Sequence, residues 1–83
     1  MSQAAILIVE DEMKLRRVLE LELNYENYRT EIAHTGKEAL NRLEEQTWDL
    51  VLLDIMLPEL SGLEVLRRMR KKNDYTPVIL LTA

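Results

Sequence analysis

Three short apolar runs set the limits on what this chain can become: Ala5-Ile6-Leu7-Ile8-Val9, Leu50-Val51-Leu52-Leu53 and Val78-Ile79-Leu80-Leu81. Each is continuous rather than alternating, as strands covered on both faces are. That is the situation of strands in a parallel sheet sandwiched by helices. A fourth segment, Arg29-Thr30-Glu31-Ile32-Ala33, alternates polar with apolar residues and reads as a partly exposed edge strand.

Helical patterns separate these runs. Residues 12–26 place Leu15, Val18, Leu19 and Leu23 on one stripe, with Leu21 off it. Thr35 with Glu38, and Ser61 with Glu64, each form a capping-box pattern that opens a helix. Ala39, Leu40 and Leu43 supply the buried face of the second helix, and Val65, Leu66 and Met69 that of the third. Arg70, Lys71 and Lys72 carry the sign favoured at a helix C-terminus. Pro77 stands at the first position of a strand, where its missing N–H is tolerated. The order β-α-β-α-β-α-β predicts right-handed crossovers and a parallel sheet with helices on both faces. With 83 residues and neither repeat nor linker, residues 1–83 read as a single small domain.

Composition excludes several functions. The longest apolar runs are far too short to span a bilayer, so no membrane role is expected. Fifteen acids against eleven bases give a net charge of −4, which disfavours non-specific binding of nucleic acid. There is no cysteine, hence neither a disulfide framework nor a thiolate metal site. Met1-Ser2-Gln3-Ala4-Ala5 lacks the basic region and cleavage signature of an export signal, so a cytoplasmic location is expected.

The chemistry lies where the apolar runs stop. Val9 leads into Glu10-Asp11, Leu53 into Asp54, and Leu81 into Thr82. Open parallel sheets bind ligands beyond the carboxyl ends of their strands. Neighbouring strands lie about 4.8 Å apart. If the Asp54 strand lies between the other two, Glu10, Asp11, Asp54 and Thr82 therefore converge. Carboxylates that close repel one another unless a cation joins them. Mg²⁺ fits such an oxygen-only set and commonly sits between one or two carboxylates and a phosphate. Asp54 is then a candidate nucleophile forming an aspartyl phosphate. Asp11 and Asp54 are candidate Mg²⁺ ligands, with a backbone carbonyl just after Asp54 as another oxygen, and the Thr82 hydroxyl can donate to a phosphoryl oxygen in an in-line transfer.

Plainer readings stand beside these. Asp11 also suits a helix N-cap, and Asp54 a strand-end turn. His34 has no partner histidine or cysteine and reads as a turn residue. Trp48 reads as packing over the end of the second helix. The cluster Arg67, Arg68, Arg70, Lys71 and Lys72 reads as a solvated face.

Together these residues resemble a response-regulator receiver domain, the phosphate-accepting module of two-component signalling. The resemblance runs through the whole chain and reaches the fourth strand of such a domain. It implies Glu10 and Asp11 as the acidic pair and Asp54 as the phosphorylated aspartate. It implies Met56 as the residue whose backbone carbonyl ligates the metal, Thr82 as the switch hydroxyl and Ala83 as the small residue after it. Pro58 and Gly62 match the loop after the acceptor. The implied fold is a flavodoxin-like, doubly wound α/β sheet of order 2-1-3-4, incomplete in lacking the last strand and last two helices. The implied cofactor is Mg²⁺, the implied partner a sensor histidine kinase, and the implied activity no more than Mg²⁺-dependent self-phosphorylation. Asp54-Ile55-Met56-Leu57-Pro58 with Ser61-Gly62-Leu63-Glu64 is similar to receivers attached to winged-helix DNA-binding domains, so transcription regulation is implied, with no nucleic-acid contact by this domain itself.

A complete receiver continues with a fourth helix, a fifth strand bearing a lysine and then a switch aromatic, and a fifth helix. The chain is accordingly expected to be a truncated receiver with impaired phosphotransfer. It is also expected to self-associate, through the Val78–Leu81 edge or the uncovered face of the first helix, a two-fold dimer being one form, or else to be a partly disordered monomer. Two rival functions fail on single positions. A haloacid-dehalogenase-like phosphatase needs a second aspartate where Met56 stands. A flavodoxin or dinucleotide binder needs a phosphate-cradling loop where Glu10-Asp11-Glu12 stands. An inert self-associating scaffold, or a half-domain derived from a receiver, stays open as the alternative.

Overall fold

The computed structural model describes residues 3–82. Met1, Ser2 and Ala83, the last assigned above to the position after the switch hydroxyl, lie outside the described residues. The chain runs β1 (Ala5–Val9), α1 (Met13–Tyr25), β2 (Arg29–Ala33), α2 (Gly36–Glu45), β3 (Leu50–Asp54), α3 (Gly62–Lys71) and β4 (Val78–Leu81). The strands form one parallel sheet in the order β2-β1-β3-β4. This is the order the resemblance implied, and it sets β3 between β1 and β4.

Alternation along the strands divides the core in two. Ala5, Leu7 and Val9 of β1 join Val51 and Leu53 of β3 beneath Ala39 of α2 and Val65 and Met69 of α3, with Trp48 and Leu57 completing the cluster. Ile6, Ile8 and Leu52 point to the opposite face, where Leu19 and Leu23 of α1 cover them. Every residue of β1 is buried. Two packed faces thus account for runs with no polar residue, since each fully buried aliphatic side chain contributes about 1.5–3 kcal/mol. Trp48 closes the far end of α2, its indole N–H donating to the Arg42 carbonyl at 3.0 Å.

Three local details go beyond the sequence reading or depart from it, each for a local reason. β3 runs one residue beyond its apolar run, because Asp54 pairs opposite Leu81 and Ile55 N–H still donates to the Leu81 carbonyl at 3.1 Å. The N-cap of α1 is Glu12 rather than Asp11: its carboxylate accepts from Lys14 N–H at 3.2 Å and Leu15 N–H at 2.7 Å. The capping boxes form only in part. Thr35 and Ser61 accept from Glu38 and Glu64 N–H as expected. The Glu38 carboxylate, however, reaches back to His34 N–H, one residue before the cap, and the Glu64 carboxylate is taken by Arg67 and Arg68.

The stripe of α1 is only half covered. Leu19 and Leu23 pack on the sheet, whereas Leu15 and Val18 remain 42% and 56% exposed. Among the described residues α1 is the sole helix on its face, so the flank of its stripe toward β4 meets no second helix. Leu21, already off the stripe, is 58% exposed.

The two faces predict very different tolerances. Leu53→Ala, in a fully buried strand position, is expected to cost about 2–5 kcal/mol. Leu21→Ala is expected to stay within about 0.5 kcal/mol of the parent. Urea unfolding of both variants, followed by circular dichroism, checks the contrast.

Candidate functional site

Glu10 and Asp54 prolong the same alternation that puts Ile6, Ile8 and Leu52 beneath α1, so their side chains emerge on one face at the ends of neighbouring strands. Asp11 follows in the bend that leads to α1. Carboxylate oxygens of Glu10, Asp11 and Asp54 all lie within 4.8 Å of one another. Glu10 and Asp54 are buried, 3% and 7% exposed, while Asp11 stands at the rim. They face a cavity of about 280 Å³, lined in addition by Glu12, Leu15, Met56, Leu81 and Thr82.

Backbone groups hold the acids in place. Glu12 N–H donates to Glu10 Oε2 at 3.2 Å, and Met56 N–H donates to Asp54 Oδ1 at 2.9 Å. Gly62 N–H donates to the Ile55 carbonyl at 3.1 Å, drawing the start of α3 against the end of β3. A Cβ on Gly62 would stand 2.8 Å from the Asp54 carbonyl carbon and overlap its oxygen. Glycine is needed here for this close approach, backbone against backbone. On the outer side of the turn, Arg16 Nη1 donates to the carbonyls of Glu10 and Asp11, each at 3.2 Å.

Burial pushes the Glu10 carboxyl from its ordinary 4.5 up to about 7. The Asp54 carboxylate beside it, which a protonated Glu10 can bond and an ionised one must repel, adds to the rise, while the Glu12 N–H opposes it. Three acids with oxygen donors only, one of them reluctant to ionise alone, suit a hard divalent cation. The donor set fits Mg²⁺.

The acids expected to meet do meet. Thr82 and Met56 border the same cavity. Met56 turns a 73% exposed side chain outward and contributes its backbone N–H to Asp54. His34 stands apart from the cluster, its Nδ1 3.6 Å from Glu38. In the basic cluster at the end of α3, Arg67 and Arg68 pair with Glu64, Arg70 donates to the Asp74 and Thr76 carbonyls, and Lys72, just past the helix, pairs with Glu44. Sequence reasoning passed over Glu12 as a wall of the cavity, the steric demand on Gly62 and the anchoring by Arg16. An arginine four residues after an N-cap was the one available signal for the last of these.

Comparisons with known proteins agree with this geometry. The family model described as the response regulator receiver domain matches residues 6–83. The chain is 61% identical over 83 residues to the uncharacterized transcriptional regulatory protein YkoG of Bacillus subtilis, covering all of this chain and 36% of that protein. It is 51% identical over 78 residues to the response regulator ArlR of Staphylococcus saprophyticus, covering 94% of this chain and 35% of that one. It thus spans about a third of the length of these curated relatives. Among solved structures, the response regulator TrrA of Thermotoga maritima in complex with Mg²⁺-BeF superposes with a TM-score of 0.92 at 44% identity, over 98% of this chain and 70% of that one. TrrA has also been solved in complex with the histidine kinase ThkA, and there the TM-score is 0.90.

The raised Glu10 carboxyl has a signed consequence. The folded chain holds this proton more tightly than the unfolded chain, so stability from this group is complete below pH 4.5 and is lost as pH rises toward about 7. Metal-free thermal unfolding between these limits is expected to show that loss, and Glu10→Gln to flatten it. A divalent ion competes with the same proton, so Mg²⁺ affinity measured by calorimetry is expected to rise through the same window.

Proposed function

We propose that this chain, which belongs to the response regulator receiver domain family, accepts a phosphoryl group on Asp54 from a phosphohistidine of a sensor kinase, with Mg²⁺ as cofactor. The observation that carries this reading is the meeting of three carboxylates at the ends of β1 and β3, two of them buried. Residues 1–83 act as one receiver unit in the cytoplasm, regulatory rather than enzymatic, and serve a regulator of transcription. The similarity to the transcriptional regulatory protein YkoG, to the response regulator ArlR and to TrrA in its complexes with Mg²⁺-BeF and with ThkA supports this assignment.

Glu10, Asp11 and Asp54 would hold the ion, with the Met56 backbone carbonyl as a further oxygen. When bound, Mg²⁺ supplies positive charge that lets an anionic carboxylate approach an anionic phosphoryl group. Asp54 supplies the nucleophile. Its Oδ1 is held by Met56 N–H, and its other oxygen is the attacking atom. That oxygen forms the new O–P bond while the P–N bond of phosphohistidine breaks and the imidazole nitrogen leaves with the electron pair. The Thr82 hydroxyl donates to a phosphoryl oxygen from the rim. Leu15 and Leu81 make the apolar wall of the cavity and limit the water that can reach the product.

A second reading, an inert self-associating scaffold, draws on exposed apolar surface: Val18, Ile79 and Leu80 are 56%, 51% and 37% exposed. One experiment separates the two. The chain is treated with acetyl phosphate and Mg²⁺, and its intact mass is measured. A gain of one phosphoryl group that Asp54→Asn abolishes is the expected result. An unmodified mass, together with no perturbation of Glu10, Asp11 or Asp54 resonances by Mg²⁺ and beryllofluoride, refutes the phosphoacceptor reading. Light scattering tests the scaffold separately: association that rises with concentration supports it, and a strict monomer at high concentration removes it.

A further inference from the structure

Three successive carbonyls of the acidic turn end on a single residue. Arg16 donates its backbone N–H to the Glu12 carbonyl at 3.0 Å, and its guanidinium Nη1 donates to the Asp11 and Glu10 carbonyls, both at 3.2 Å. Among the described residues the Arg16 guanidinium forms no ion pair with a carboxylate. It lies outside the acidic cavity, in the adjoining groove with Met13, Arg17, Ile32 and His34. An arginine next to three acids that binds their backbone and none of their side chains is unusual, because bidentate pairing with carboxylate is what guanidinium does best.

We infer that Arg16 is a positioning residue for the metal site, aiming the Glu10 and Asp11 carboxylates into the cavity while itself occupying none of their carboxylate oxygens. The inference rests on the Mg²⁺ reading given above. Its physical basis is the planar peptide: holding the carbonyls of residues 10 and 11 sets both peptide planes that flank Asp11, and with them the direction of its Cα–Cβ bond. Asp11 depends on this more than its neighbours do. Asp54 is oriented by Met56 N–H and Glu10 by Glu12 N–H. The Asp11 carboxylate receives no hydrogen bond among the described residues, so only its backbone aims it. Both bonds leave the one nitrogen Nη1, so a lysine ammonium, with three donors on a single atom, retains part of this grip where its shorter chain reaches.

The test uses the isotope-labelled 83-residue chain with Arg16→Gln and Arg16→Lys. Two quantities are read by NMR: without metal, the ¹³C shifts of the Glu10 and Asp11 carbonyls and the exchange rate of Glu12 N–H; then Mg²⁺ affinity by titration. In Arg16→Gln the two carbonyl resonances are expected to move, Glu12 N–H to exchange faster, and Mg²⁺ to bind roughly tenfold or more weakly, the usual effect of losing an outer-shell support. Arg16→Lys is expected to recover part of that affinity. Amides of Leu7 and Leu53 should keep their protection in both variants. Unchanged carbonyl shifts and wild-type Mg²⁺ affinity in Arg16→Gln overturn the inference. So does a loss of affinity matched by lost protection at Leu7 and Leu53, which marks a general loosening. A wild-type chain that binds no Mg²⁺ refutes the metal reading instead, and the metal-free shifts then decide alone whether Arg16 holds the turn.

Discussion

The lateral register of β1 against β3 is the constraint on which the rest depends. Val9 lies opposite Leu53, so the residue after each, Glu10 and Asp54, is carried to the same edge of the sheet and to the same face. Parallel pairing makes this possible, because only parallel strands end together. A slip of one residue would send one acid to the opposite face. The buried runs forbid that slip, since it would exchange the residues facing α1 with those facing α2 and α3 and mismatch both clusters at once. The hydrophobic core thus fixes the position of a polar site.

The same packing makes the site costly. Glu10 and Asp54 are buried side by side with Asp11 at the rim, and the fold answers with backbone N–H donors and with protonation of Glu10 near neutrality. Such an arrangement is poor for stability in isolation and well suited to capturing a cation. The tension is local. Two residues away, Ile8 and Leu52 are packed as ordinary core, and the start of α3 is drawn against Asp54 so closely that only Gly62 fits there.

Much of this was legible in the residues. Continuous apolar runs marked β1, β3 and β4, alternation marked β2, and Thr35 and Ser61 marked the starts of α2 and α3, because each signal is local and depends on neighbours a few positions away. The departures came where the folded geometry, rather than residue type, decides. The α1 stripe correctly named Leu19 and Leu23, but whether Leu15 and Val18 are covered depends on what stands over the β4 side of the sheet. Asp11 is the better cap by type; the bend after β1 nonetheless gives the role to Glu12 and releases Asp11 to the cavity. The capping boxes were half right because Glu64 found two arginines nearer than its own cap.

What the amino-acid order determined by itself was the alternation of strand and helix and the chemistry at each strand end: acid after Val9, acid after Leu53, hydroxyl after Leu81. What only the tertiary structure decided was that these groups share one cavity, that Glu10 is buried deeply enough to hold a proton, and that Arg16 grips the turn from behind. The physical reason is range. Propensity, periodicity and capping act over a few residues along the chain. Carboxylate repulsion, burial and the reach of a guanidinium act through space, between segments that come together only once the sheet has formed.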